Sequence, residues 1–247
     1  MTKPIPFYNF HDLHNNEFQE QIKKRFNDII SKNSFIEGPY NFSFEEKFSK
    51  LQECDTTLLV ANGTDALEIS LLAHEIKPKD LVAVPGITFY ATAEAVLNVG
   101  AIPVYVDVLP ESGLMDPESL KRIIKQYKIK AVMPVHIYGL PAAMRAIDQI
   151  CQEKKIPVIE DCAHALGAKI QNRSVGSFGD FSIFSFQAIK HITTIDGGML
   201  GMKNKKYMAR AKKMRWFGLT KGKPRHLNRI RELGFKYNMT NMAAAIG

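Results

Sequence analysis

The sequence predicts an α/β protein in three layers, with helices on both faces of a mostly parallel central sheet. Three observations carry this expectation. Apolar spacing switches along the chain between short continuous apolar runs and stretches with a helical repeat. The runs are apolar throughout rather than alternating, as strands covered on both faces must be. The 247 residues, 45% hydrophobic and 23% charged, have the composition of a globular protein with one substantial core.

The elements follow in order. An amphipathic pattern predicts a helix over 12–31, then a turn-rich stretch over 36–40 and a second helix over 44–54. Buried strands are expected at 57–61, 81–85, 102–106, 131–135 and 157–160. Helical patterns at 64–74, 91–99, 117–127 and 142–154 separate them. Two further strands, over 180–185 and 198–202, bracket a polar loop, and no internal repeat or interdomain linker interrupts the series. In such a sheet, ligands gather beyond the C-terminal ends of the strands.

Composition narrows the setting. Cys54, Cys151 and Cys162 are odd in number, scattered and without a CxxC pair, which argues against disulfides, structural zinc and an iron-sulfur cluster. A reducing, cytoplasmic compartment is expected, with no metal. The N-terminus MTKPIPFYNF has no basic start followed by an apolar run, and no apolar stretch is long enough to span a bilayer. Neither secretion nor a membrane partner is expected.

The formal charge of +8 is unevenly placed: residues 201–247 hold thirteen Lys and Arg against the single acid Glu232. Interleaved with Tyr207, Trp216 and Phe217, these cations read in three ways: a nucleic-acid patch, a rim attracting the diphosphate of a nucleotide-linked substrate, or a solvated helix face. The solvated face is the preferred reading, and no nucleic-acid partner is expected.

The stretch from Val158 to Met199 carries the chemistry. An apolar strand delivers Asp161; a second, FSIFS, ends at Ser185 and is followed by a lone loop lysine, Lys190, before Gly197 and Gly198. A pyridoxal phosphate enzyme needs this pair, because a buried carboxylate holds the pyridine nitrogen protonated while a lysine carries the cofactor as an imine and shuttles protons. The plain alternatives are a helix cap for Asp161 and a solvated amine for Lys190. The apolar flanks FSIFSF and ITTIDGG make the second an odd choice. Upstream, Asn62–Leu67 (NGTDAL) turns from strand to helix; Gly63 and Thr64 would place backbone amides at the positive end of the helix, suited to a phosphate, although from these six residues alone a plain turn is the preferred reading. His191 reads as a packing or loop residue.

Read together, FIEGP, NGTDAL, TFYATAEAVLNVGAIPVYVD, VHIYGLPAAM and the Asp161–Lys190 stretch resemble the DegT/DnrJ/StrS family of sugar aminotransferases, from near Pro6 to the last residue. The resemblance implies the large domain of the aspartate aminotransferase type of fold over 1–247, with a small C-terminal domain missing. It implies pyridoxal 5'-phosphate as cofactor, an amino acid, usually glutamate, as donor, and a nucleotide-linked keto sugar as acceptor. A homodimer with a shared active site follows from the same likeness. Lys190 and Asp161 are then catalytic; Ser185, Gly63 and Thr64 cradle the phosphate; Phe89 stacks on the cofactor ring; His164 lies near its phenolic oxygen. Outside that likeness, Phe89 would be placed in the core and His164 would be a satisfied core histidine.

Two departures stand out. Ile195-Asp196-Gly197-Gly198 occupies a loop that usually reads Gly-Glu-Gly-Gly, which removes the first glycine's freedom at positive φ. In GFKYNMTN, Lys236 and Asn238 stand where many relatives have Asn and Arg, so the role of reaching the neighbouring subunit's phosphate is left between them. A sugar 3-dehydratase of the same fold, which carries histidine at the lysine position, and a non-catalytic regulatory relative are the alternatives; Lys190 together with Asp161 disfavours both.

Overall fold

The computed structural model describes residues 14–247. The start of the expected first helix, at residues 12 and 13, and the beginning of the family likeness near Pro6 lie outside them. Helices α1 (Asn16–Ser31) and α2 (Pro39–Leu51) lead into strand β1 (Thr56–Val60). The α2 helix starts five residues before the expected 44, because Pro39 sits at its first turn, where a missing N–H costs nothing. Then follow α3 (Gly63–Ala73), β2 (Leu81–Pro85), α4 (Ala91–Asn98), β3 (Ile102–Val106), α5 (Pro117–Gln126), β4 (Ile129–Val132) and α6 (Met144–Lys154). The second half contains β5 (Ile159–Asp161), a small hairpin of β6 (Lys169–Ile170) and β7 (Arg173–Ser174), then β8 (Phe181–Ser185) and β9 (Gly198–Met202). Helices α7 (Met208–Arg215) and α8 (Asn241–Ile246) complete it.

The strands run β3-β2-β4 and β5-β8-β9-β1, and parallel bridges from Val132 to Val158 and from Val135 to Asp161 join the two groups into one sheet. Within this sheet the ladders are parallel except those of β9, which runs antiparallel to β8 and β1. The seam between β4 and β5 is thin because Pro134 and Pro157 carry no N–H; each contributes only its carbonyl, to Asp161 and Val132 respectively. This is also why β4 ends at Val132 rather than at the expected 135.

Side chains alternate across β8: Phe181 and Ile183 pack with Ile69, Leu71, Val82 and Leu200, while Phe184 faces Phe44, Phe48 and Met199. A third cluster, with Leu120, Met144 and Ile147, fills the space under α5 and α6. Each large apolar side chain so buried contributes roughly 1.5–3 kcal/mol. The sheet is therefore covered on both faces, as its continuous apolar strands require, and the C-terminal ends of β1, β2, β4, β5 and β8 are left to share one edge. No helix among the described residues is long and apolar enough to cross a membrane.

Candidate active site

A cavity of about 730 Å³ opens at that edge, lined among others by Asn62, Gly63, Thr64, Phe89, Asp161, His164, Ser185 and Lys190. Every residue singled out from the sequence for cofactor contact thus reaches one space, although the residues come from the ends of four strands, β1, β2, β5 and β8.

On one side lies the start of α3. Asn62 has extended backbone and its side-chain oxygen accepts the Asp65 N–H at 2.9 Å, so the helix is capped from behind while Gly63 and Thr64 face the cavity. Gly63 is tightly held: a Cβ there would come within 3.2 Å of the Ser185 Cβ. Gly198 is tighter still, since a Cβ would lie 2.4 Å from the Asn62 carbonyl oxygen. The glycines let β9, β8 and the α3 N-terminus close on each other, which places the Ser185 hydroxyl beside outward-facing amides and the positive end of the helix dipole.

Asp161, 6% exposed, stands at the end of β5. Its Oδ1 accepts the Ala163 N–H at 3.1 Å and its Oδ2 accepts the Thr92 hydroxyl at 3.1 Å. No helix follows it, so the helix-cap alternative falls: the bond to Ala163 is a two-residue turn within a loop. Lys190 sits half-buried in the loop after β8, its N–H bonded to the Gln187 carbonyl. Burial lowers its pKa, an effect the Asp161 charge partly offsets, so the uncharged amine is easier to reach than on an exposed lysine. The solvated-amine reading of Lys190 is thereby replaced.

His164 is half-buried, and burial, with the Lys190 charge adding to it, lowers its pKa, favouring the neutral ring; Tyr138 stacks at 6.3 Å between centroids. Phe89 is 56% exposed, so the core assignment made apart from the family likeness is wrong; it follows β2 at the strand-end edge, where apolar side chains line the cavity instead of the interior. His191 is exposed in the loop and lines the cavity as well. Ile195 adopts φ 74°, keeping the backbone path that the glycine would have given, at the expense of strain for a β-branched residue.

Lys236 and Asn238 do not line the cavity. The Lys236 ammonium donates to the Asn238 side-chain oxygen and lies 4.6 Å from the centre of the Trp216 ring, while the Tyr237 carbonyl accepts the Ala61 N–H beside the end of β1. The basic segment is not uniformly a solvated face. Arg215 is 5% exposed, donates to the Leu59 carbonyl at 2.7 Å and pairs with Glu37 and Glu45. Trp216 is engaged by Lys221 as well as Lys236, and Tyr207 packs on Phe181. The hydropathy of the segment gave no sign of this, because burial of a guanidinium depends on partners from α2 and the loop before it.

Sequence reasoning also missed Thr88, Thr92, Tyr138, Gln187 and Asp196 as cavity residues. It missed the buried group His136, Glu160 and Cys162, whose donor atoms lie within 4.8 Å of one another. That group is committed elsewhere. Glu160 Oε1 accepts the Phe178 and Gly179 N–H groups, Oε2 accepts that of Gly176 and meets His136 Nε2 at 3.2 Å, and His136 Nδ1 accepts the Ala142 N–H. Burial holds all three thiols protonated, Cys54 pushed up to about 11, Cys151 to about 12 and Cys162 well above its usual value.

A family model for the DegT/DnrJ/EryC1/StrS aminotransferase family matches residues 16–247. The GDP-perosamine synthase of Escherichia coli O157:H7 is 39% identical over 210 residues, which are 85% of this chain and 57% of that protein. A UDP-N-acetyl-3-dehydro-alpha-D-glucosamine 3-aminotransferase of Acidithiobacillus ferrooxidans is 43% identical over 183 residues, 74% of this chain and 49% of its own length. The chain thus spans about half the length of the curated relatives it matches. Among solved structures, NtdA of Bacillus subtilis with bound cofactor PMP superposes with a TM-score of 0.89 at 30% identity, covering 100% of this chain and 55% of that one. DesV of S. venezuelae gives a TM-score of 0.90 at 28% identity, covering 99% and 64%.

Proposed function

Because the chain belongs to the DegT/DnrJ/EryC1/StrS aminotransferase family, we propose that it forms the cofactor-binding large domain, over 1–247, of a pyridoxal phosphate-dependent aminotransferase. The reaction moves an amino group from an amino acid, glutamate by preference, to the ketone carbon of a nucleotide-linked keto-deoxyhexose, in the making of deoxyamino sugars. The observation that carries this reading is the meeting of Asp161, Lys190 and the α3 N-terminus around one cavity. Relatives named for GDP- and UDP-linked sugars support the substrate class.

The residues present fit the cofactor. Gly63, Thr64 and the Ser185 hydroxyl suit a phosphate, Phe89 and His164 border the space for a planar ring, and Asp161 keeps lone pairs for a ring N–H. Bound there, pyridoxal phosphate supplies an aldehyde for amine exchange and an electron-withdrawing ring. Asp161 would set its carboxylate against a protonated ring nitrogen. Lys190 would hold the cofactor through Nζ and would carry the proton between the reacting carbons; its lowered pKa favours the free amine this needs. We assign a role at a neighbouring subunit's site in a homodimer to either Lys236 or Asn238, and the free thiols Cys54, Cys151 and Cys162 support a cytoplasmic setting.

Absorbance of the purified protein with pyridoxal phosphate tests the reading, since attachment at Lys190 produces a visible band that borohydride fixes to the chain. Lys190→Ala should abolish that linkage and turnover with glutamate and a nucleotide-linked keto sugar. An active Lys190→Ala protein would refute the assignment.

A further inference from the structure

Two threonines that the proposed chemistry does not use stand behind Asp161. Thr92, 1% exposed, lies in the first turn of α4, and its hydroxyl is 3.1 Å from Asp161 Oδ2; the Thr88 hydroxyl is 2.8 Å from that of Thr92. Neither caps the helix, since α4 has no side-chain cap. In a helix a threonine commonly bonds back to its own preceding turn, yet Thr92 spends its proton across the cavity wall, on a residue 69 positions away in sequence.

We propose that Thr88 and Thr92 form a one-way donor relay that fixes Asp161, making Thr92 a positioning residue for the cofactor's ring nitrogen. The direction follows from counting protons. An ionised carboxylate can only accept, and a hydroxyl has one proton. Thr92 therefore donates to Asp161, so the contact between the threonines requires Thr88 to donate to Thr92. The Ala163 N–H occupies the other carboxylate oxygen. Each oxygen of Asp161 is thus held by one donor and keeps a lone pair, and Asp161, Thr88 and Thr92 all border the cavity. A carboxylate pinned in this way meets a ring N–H without first being reoriented.

The inference rests on the proposed cofactor chemistry, and the experiment separates the two. Wild-type protein is titrated with pyridoxal phosphate first; failure to bind would refute the aminotransferase reading before any variant is made. Given binding, Thr92→Val keeps the shape and removes the hydroxyl. It should weaken cofactor affinity by about 10-fold or more, the worth of a hydrogen bond to a charged group, and shift the absorbance of the bound cofactor, with the melting temperature little changed. Thr92→Ser should restore both affinity and spectrum. Thr88→Val should weaken binding by roughly 3-fold and add nothing in the Thr92→Val background, because its proton reaches Asp161 only through Thr92. Wild-type affinity and spectrum in Thr92→Val, or no rescue by serine, would overturn the proposal. Should Thr92→Val not fold, an unaltered Thr88→Val protein would overturn it equally.

Discussion

Glu160 and Asp161 are neighbours on β5, and strand alternation sends them to opposite sides of the sheet. Glu160, fully buried, spends its carboxylate on three backbone N–H groups and His136, and so ties the turn at 176–179 to the strand. Among the described residues Asp161 accepts from two donors, and it faces a cavity. The same chemical group is structural where its acceptor sites are filled and available for chemistry where they are not. Charge or burial alone would not separate the two, since both are buried.

The sharpest way to break this comparison is to neutralise each acid in turn. Asp161→Asn keeps the shape and removes the charge, so turnover should fall by about 2 to 4 orders of magnitude, while a thermal melt stays close to wild type. If affinity and rate are both unchanged, Asp161 belongs with Glu160 as a structural acid. Glu160→Gln should do the reverse. Its amide must point two N–H groups at donors now held by one carboxylate oxygen, so unfolding stability should drop by roughly 2–4 kcal/mol. At temperatures where the variant remains folded, cofactor affinity should be near wild type; a selective loss of affinity would erase the distinction.

Asp65 sharpens the contrast by being buried without Glu160's set of donors. Burial, with Glu68 beside it, pushes its pKa up to about 7 from 3.8, against one side-chain hydrogen bond with Asn62. Between those values the folded protein holds a proton that the unfolded chain has lost. Stability should therefore fall as pH rises from about 4 to about 7, by at most about 1.4 kcal/mol per pH unit from this group. Asp65→Asn should remove that slope; denaturant melts across the range that retain it would count against the assignment. The smallest effect is expected at Ile195, whose φ of 74° is a conformation that glycine adopts freely. Ile195→Gly should relieve about 1–3 kcal/mol of backbone strain and lose part of it to the greater freedom of the unfolded chain, for a net gain of about 1 kcal/mol. A lower melting temperature in that variant would show that the loop is not strained.

Much of the fold was legible. Strands at 81–85, 102–106 and 198–202 appear with the expected bounds, because continuous apolar runs between turn signals suit only buried strands here. The β6–β7 hairpin escaped, being two residues on each side with no periodicity to read. Helix α7 was expected only as a solvated face without bounds: its sequence MARAKKMR has no clear apolar face, yet it buries Ala211, Met214 and Arg215.

At the site, Lys190 and Asp161 were legible because each is a polar residue set against apolar flanks, a local contrast that survives without coordinates. Gly63 and Thr64 could be read as a phosphate-suited turn, but Ser185, His164 and Phe89 needed the family pattern to gain a role. The Thr88–Thr92–Asp161 chain and the Glu160 cradle could be found only in three dimensions, since their partners come from separate elements and nothing in spacing marks a hydroxyl that looks across rather than back. Apolar patterning determined by itself that this chain builds a covered parallel sheet, because burial is local and additive along each strand. Which of two adjacent acids would be left with free lone pairs was decided by tertiary structure, because hydrogen-bond saturation depends on groups that the chain brings together only when it folds.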